Sequence, residues 1–171
     1  MELEIRLASS GDRDEIWKIF RETIKAGDTY AIDPEISRDD ALAYWFATGT
    51  RTCVAVQDRQ LLGTYILRPN QAGGGAHVAN AAFIVAQDAR SKGVGRAMAV
   101  HCLEEARRLG FRAMQFNFVV STNESAIRLW KDLGFEIVAT LPKAFRHPTK
   151  DYVDVYVMFR SLAQNSEANS A

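Results

Sequence analysis

Apolar and polar positions recur along this chain with two periods, and the alternation between them marks out strands and helices. Residues 2–7 alternate and read as a strand. Ile16, Ile19, Phe20, Thr23 and Ile24 then fall on one helical face, behind Asp12 and Glu15, whose spacing reads as a capping box; Gly27 ends that helix. Ser37 is expected to cap a second helix carrying Leu42, Trp45 and Phe46. Residues 52–56 and 61–67 predict two strands, and the polar turn Gln57-Asp58-Arg59-Gln60 between them is a hairpin signal. After the glycine-rich connection 71–75, the apolar run 79–85 predicts a buried strand. A helix entered through Gly93 and Gly95 follows, with Ala99, Cys102, Leu103, Ala106 and Leu109 on one face. Glu104 precedes Arg108 by one turn on its other face, and Gly110 closes it. Residues 113–120 predict a strand, and Thr122 is expected to cap a helix bearing Ala126, Leu129, Trp130 and Leu133, stopped by Gly134. Two strands, 135–141 and 152–159, complete the order β-α-α-β-β-β-α-β-α-β-β. That order is an α/β fold with a mixed sheet and helices on both faces.

Composition narrows the picture without changing it. A chain of 171 residues, 47% hydrophobic and 25% charged, fits one domain with a substantial core. Formal net charge is zero, which argues against a partner bound through a nucleic-acid backbone. No apolar run approaches the ~18 residues of a membrane span, and the first residues lack the layout of a secretory signal. Cys53 and Cys102 sit in apolar settings without metal-ligand spacing, as buried free thiols of a reducing compartment do. The cytoplasm is therefore the expected location, with no metal. The small polar segment 161–171 is expected to be a disordered tail on a domain spanning 1–160.

Candidate chemistry concentrates at residues 85–96. A polar loop carrying Arg90, Ser91 and Lys92 leaves the apolar strand and enters a helix through Gly93-Val94-Gly95-Arg96. A helix start leaves backbone N–H groups without partners, and its dipole places partial positive charge there. Glycines let that backbone approach a ligand closely, so the arrangement suits a pyrophosphate. A Walker A loop needs four residues between its glycines and then Lys-Ser/Thr, whereas one residue separates Gly93 from Gly95 and Arg96 follows. A dinucleotide fingerprint needs Gly or Ala where Met98 stands.

The remaining pattern, Arg90-x-x-Gly93-x-Gly95, resembles the acetyl-CoA loop of the GCN5-related N-acetyltransferases (GNAT). Asn123, Ala126, Leu129, Gly134 and Phe135 match a second family motif in the expected place. The resemblance covers about residues 2–160 and implies a single-domain GNAT fold whose fourth and fifth strands splay apart. It implies acetyl-CoA held by Phe83, Ile84, Val85, Arg90, Ser91, Lys92, Gly93, Val94, Gly95, Arg96 and Asn123. A backbone N–H near Ile84 or Val85 would then face the thioester carbonyl. It further implies direct attack by an amine and, as members often do, a homodimer. One position departs: Trp130 stands where the family often has a tyrosine that protonates the departing thiolate. An indole N–H has no usable acidity, and at helical spacing Trp130 also reads as core.

Further pieces, Gly27-Asp28-Thr29-Tyr30, Tyr44-Trp45-Phe46, Leu62-Gly63-Thr64-Tyr65, Arg68-Pro69-Asn70, Asn80-Ala81 and Phe116-Asn117, occur together with Asn123. In this order they resemble the yeast N-acetyltransferases that detoxify the proline analogue azetidine-2-carboxylate. That resemblance implies substrate binding and catalysis by Asn80, with Asn117 in the same pocket, and an amino acid or proline-like amine as acceptor. By residue type alone, either amide could instead satisfy a sheet edge beside the splay. Tyr30 and Arg146 are candidate acceptor contacts. His77, His101 and His147 are candidate bases, with His101 reading rather as packing. Other acceptors (a phosphinothricin-type amino acid, a polyamine, a protein terminus) stay open, as does a non-catalytic acyl-CoA-binding module.

Overall fold

The computed structural model of the chain describes residues 2–163. Its elements follow the expected order: β1 (Glu4–Leu7), α1 (Arg13–Lys25), α2 (Arg38–Trp45), β2 (Arg51–Gln57), β3 (Gln60–Pro69), β4 (Val78–Val85), α3 (Val94–Arg108), β5 (Ala113–Val120), α4 (Glu124–Asp132), β6 (Glu136–His147) and β7 (Asp151–Ser161). Short 3-10 turns at Ser10–Asp12, Gly73–Gly75 and Gln87–Ala89 serve as connectors. The strands form one mixed sheet in the order β1-β2-β3-β4-β5-β7-β6, in which only β4 and β5 run parallel.

Strand β3 is buried continuously from Leu61 to Leu67, so helices must cover both faces of the sheet. Neighbouring residues identify which helix lies where, because successive side chains point to opposite faces. Thr64 Oγ1 accepts from Trp45 Nε1 of α2 at 3.0 Å, while the Tyr65 hydroxyl meets His101 Nδ1 of α3 at 2.8 Å. Gly63 lies on the α3 side, where an added Cβ would stand 2.7 Å from Met98 Cε and 3.0 Å from the Ile84 carbonyl oxygen. This glycine therefore lets α3 lie close against β3 and β4, which fixes where the helix begins. Cys53 and Cys102 are buried free cysteines in the same core.

The β2–β3 hairpin turns through Asp58 and Arg59, both left-handed at φ 53° and 66°. Such a pair matches the twist of the flanking strands.

Several local expectations are corrected. Asp12 does not cap α1 through its side chain; its carboxylate accepts from Ser9 N at 2.6 Å and from both terminal nitrogens of Arg6 at 2.9 Å. The Arg6 guanidinium holds that carboxyl well below the usual carboxylate range. Asn123, not Thr122, caps α4, accepting from Ala126 N at 3.3 Å. Leu109 is the C-cap of α3 and is exposed, because the helix ends before its stripe completes another turn. The expected loop after 141 is instead strand: β6 continues to His147, with a register shift between Leu141 and Phe145 that accommodates Pro142 on an edge strand. Ser161 ends β7 and Leu162 is buried, so the tail cannot begin at 161; residues 164–171 lie outside the described residues.

Candidate active site

The site begins where two strands part. β4 and β5 pair only at Val78 with Ala113 and Ala79 with Met114, and no pairing continues beyond. The register between β3 and β4 is unbroken, with Asn70 N donating to the Val78 carbonyl and Ala86 N to the Leu62 carbonyl. Main-chain polar groups of even-numbered β4 residues therefore face β3, and those of Ala81, Phe83 and Val85 face the gap. This corrects one expectation: the N–H of Ile84 belongs to the sheet ladder, so the donors open to the gap are on Phe83 and Val85. The gap is one end of a cleft of about 670 Å³.

At the crotch of the fork, Asn80 Nδ2 donates to the Gln115 carbonyl at 2.9 Å, filling the first position beyond the paired residues. Gln115 Nε2 donates to Asn117 Oδ1 at 2.8 Å, and Asn117 Nδ2 to Asn70 Oδ1 at 2.7 Å. Both predicted asparagines thus line the cleft, one on each parted strand; Asn80 also satisfies a main-chain group of the sheet edge, whereas Asn117 is held by the side-chain amides of Gln115 and Asn70. Tyr30, from the connection between α1 and α2, donates its hydroxyl to the Phe83 carbonyl inside the gap. Burial pushes its phenol well above the usual range, so it stays protonated.

The α3 end of the cleft can hold an anion. Ser91 and Gly93 are left-handed at φ 62° and 82°. Gly93 is the N-cap of α3 and supplies no side-chain acceptor, so the first N–H groups of the helix stay open. At Gly95 an added Cβ would meet only Val85 Cγ2, at 3.6 Å, an ordinary contact. The cleft is lined by Arg90, Ser91, Gly93, Gly95, Arg96 and Asn123. Lys92 is exposed outside that lining, and the Val94 side chain is buried in the core. The Arg96 guanidinium pairs with Asp132 at 2.7 Å, tying α3 to α4.

On the α3–α4 side, Trp130 packs against Phe83, Phe116 and Phe135, with centroids at 5.1, 4.5 and 5.9 Å. It is a wall of the cleft and part of the core at once.

The remaining candidates fall elsewhere. Arg146 is exposed on the β6–β7 hairpin opposite Tyr152, and His147 Nδ1 accepts from Thr149 N at 3.2 Å. His77 contacts the Gly74 carbonyl at 3.1 Å. None of these, nor His101, lines the cleft, and neither does any Asp or Glu among the described residues. Among the lining residues that carried no sequence expectation of a role are Arg68 and Tyr44. Arg68 follows a run of buried β3 residues, and a cation closing such a run is a signal that the pattern could have supplied.

The fold and this geometry have known counterparts. The model of the acetyltransferase (GNAT) family matches residues 14–135. The Schizosaccharomyces pombe N-acetyltransferase aca1 is 34% identical over 151 residues, 78% of this chain and 72% of that protein. A GCN5-related N-acetyltransferase from Kribbella flavida superposes with a TM-score of 0.89 at 47% identity, over 93% of this chain and 97% of that one. A Sinorhizobium meliloti phosphinothricin acetyltransferase, solved in complex with AcCoA, shares the fold with a TM-score of 0.85 at 21% identity, over 100% and 94%. The parted strands, the glycine loop and these matches together show that the chain belongs to the GNAT acetyltransferase family.

Proposed function

We propose that the chain transfers an acetyl group from acetyl-CoA to the amine of a small molecule, an amino acid or proline-like analogue, by direct attack. One observation carries the reading: the open backbone edge of β4 leads straight to the uncapped start of α3. An extended amide-bearing arm can pair with the groups of Phe83 and Val85 as an added strand would. A diphosphate can then be held by the N–H groups around Gly93 and Gly95, with Arg90 adding full charge. Acetyl-CoA supplies a thioester, an activated acyl group on a good leaving sulfur.

The N–H groups of Phe83 and Val85 point where negative charge builds on the acyl oxygen. Asn80 and Asn117 sit on either side of the gap and orient the amine, since a side-chain amide both donates and accepts. As the amine nitrogen bonds to the acyl carbon, the C–S bond breaks and its electron pair leaves on sulfur. Among the described residues no carboxylate or imidazole lines the cleft, and the amine's proton is assigned to water. Trp130 cannot protonate the sulfur, and with a free-thiol pKa of about 8.5 a thiolate can depart without help.

The same reading makes the protein a cytoplasmic homodimer. Support comes from the buried free thiols and from exposed Val138, Leu141 and Tyr152 on the β6–β7 edge. Trp130 favours a second reading, a non-catalytic acyl-CoA-binding module. Thiol release from acetyl-CoA with a panel of amines separates the two, because a module binds without turnover.

The loop itself is tested by Gly95→Trp. An indole there projects from the first turn of α3 into the cleft. We expect acetyl-CoA affinity by calorimetry to fall beyond detection while the melting temperature stays near that of the parent. Retained affinity would remove the loop from the site.

A further inference from the structure

The proposed acceptor end of the cleft holds a cation that no carboxylate among the described residues neutralises. Arg68 closes β3 on the face covered by α1 and α2, directly across from Asn80 in the register between β3 and β4. Its Nη2 donates to the Tyr44 hydroxyl at 3.2 Å, and its guanidinium carbon stands 4.9 Å over the Tyr44 ring. A tyrosine that both stacks on the fork and accepts from it fixes the plane while leaving other N–H donors free. By contrast Arg6, Arg38, Arg51, Arg96 and Arg108 are all engaged with carboxylates. Among the described residues no Asp or Glu pairs with Arg68, and none lines the cleft.

The electrostatics of that end follow directly. A cationic cleft without acids repels a polycation and favours the neutral form of an incoming amine. It attracts a group carrying a delocalised negative charge, and a guanidinium fork matches a carboxylate with two parallel N–H donors. Asn80 and Arg68 occupy facing positions on neighbouring strands, so the groups they hold must be close together on one small molecule.

Resting on the proposed acetyltransfer and extending it, we infer that Arg68, steadied by Tyr44, binds a carboxylate of the acceptor, whose amine is presented beside Asn80. The substrate class is therefore an amino or imino acid, with phosphinothricin-type amino acids inside it and polyamines outside. Arg146, on the far hairpin, has no part in this. The anchor binds substrate and sets specificity; it takes no share in bond making.

The test measures kcat/KM for matched acceptors: azetidine-2-carboxylate, proline and several α-amino acids, each beside its carboxamide and its decarboxylated amine. Wild-type protein is expected to prefer the carboxylate member by about a hundredfold or more. That ratio is expected to collapse in Arg68→Gln and to be partly restored in Arg68→Lys, which keeps charge but loses the fork. Acetyl-CoA affinity and melting temperature of each variant show whether the donor site and the fold are intact. Equal turnover of both members by wild type, or a ratio unaltered in Arg68→Gln, would overturn the assignment. So would acetyl-CoA binding with turnover of no carboxylate-bearing acceptor. Failure to bind acetyl-CoA at all is a different result, and it would overturn the proposed function itself.

Discussion

Asn80 carries two burdens that a substitution can separate. Its amide satisfies the Gln115 carbonyl at the crotch of the fork, and the residue lines the cleft in which the acceptor is proposed to bind. An orphaned polar group costs about 1–3 kcal/mol, so Asn80→Ala should lower stability on that scale whatever its role. A part in orienting the amine adds a second loss. Turnover should then fall at least ~10-fold while acetyl-CoA affinity holds within about threefold. Steady-state assays beside calorimetry decide between them, and full turnover in the destabilised variant would leave Asn80 a tether only. The residue type and the resemblance brought Asn80 forward, but neither could show that its donor is already engaged. The same limit applied to Arg68: its charge was visible, but its pairing with Tyr44 joins a strand and a helix that only folding brings together.

At the scale of elements, the spacing between helix and sheet is set by small residues and can be perturbed. In Gly63→Ala the new methyl would crowd Met98 Cε at 2.7 Å and the Ile84 carbonyl at 3.0 Å. Met98 is fully buried and has little room to yield. Chemical denaturation should show a loss of about 1–3 kcal/mol, the cost of overpacking. Because α3 also opens the anion site, its displacement should weaken acetyl-CoA binding; unchanged stability would show that the helix slides freely. The elements themselves were largely legible, since helical and strand periods are local properties of sequence. Boundaries were less so. Thr122 and Asn123 both carry capping side chains, and only the chain's approach angle selects the second. Pro142 reads as a strand end, yet a register shift on an edge strand absorbs it. The proposed donor end of the cleft was legible because its loop is contiguous. At the proposed acceptor end the resemblance brought forward Asn80 and Asn117 but gave Tyr44 and Arg68 no role, because the four residues come from four elements.

For the whole molecule, the charge pattern makes its own prediction. Arg68, Arg90 and Arg96 line a cleft that has no Asp or Glu among the described residues, and Asp132 pairs with the last of them. At physiological salt, exposed charges are screened beyond about 8 Å, so the pull on anionic substrates is short-ranged and sensitive to added electrolyte. Raising sodium chloride from about 0.05 to 0.5 M should raise KM for acetyl-CoA several-fold and leave the melting temperature little altered. A KM flat across that range would mean that the arginines do not touch the donor. The chain as a whole carries as many acidic as basic side chains, 21 of each. Such a molecule has no net charge with which to draw substrates in from far out in solution. Encounter is left to ordinary diffusion, and selection takes place only once a molecule has reached the mouth.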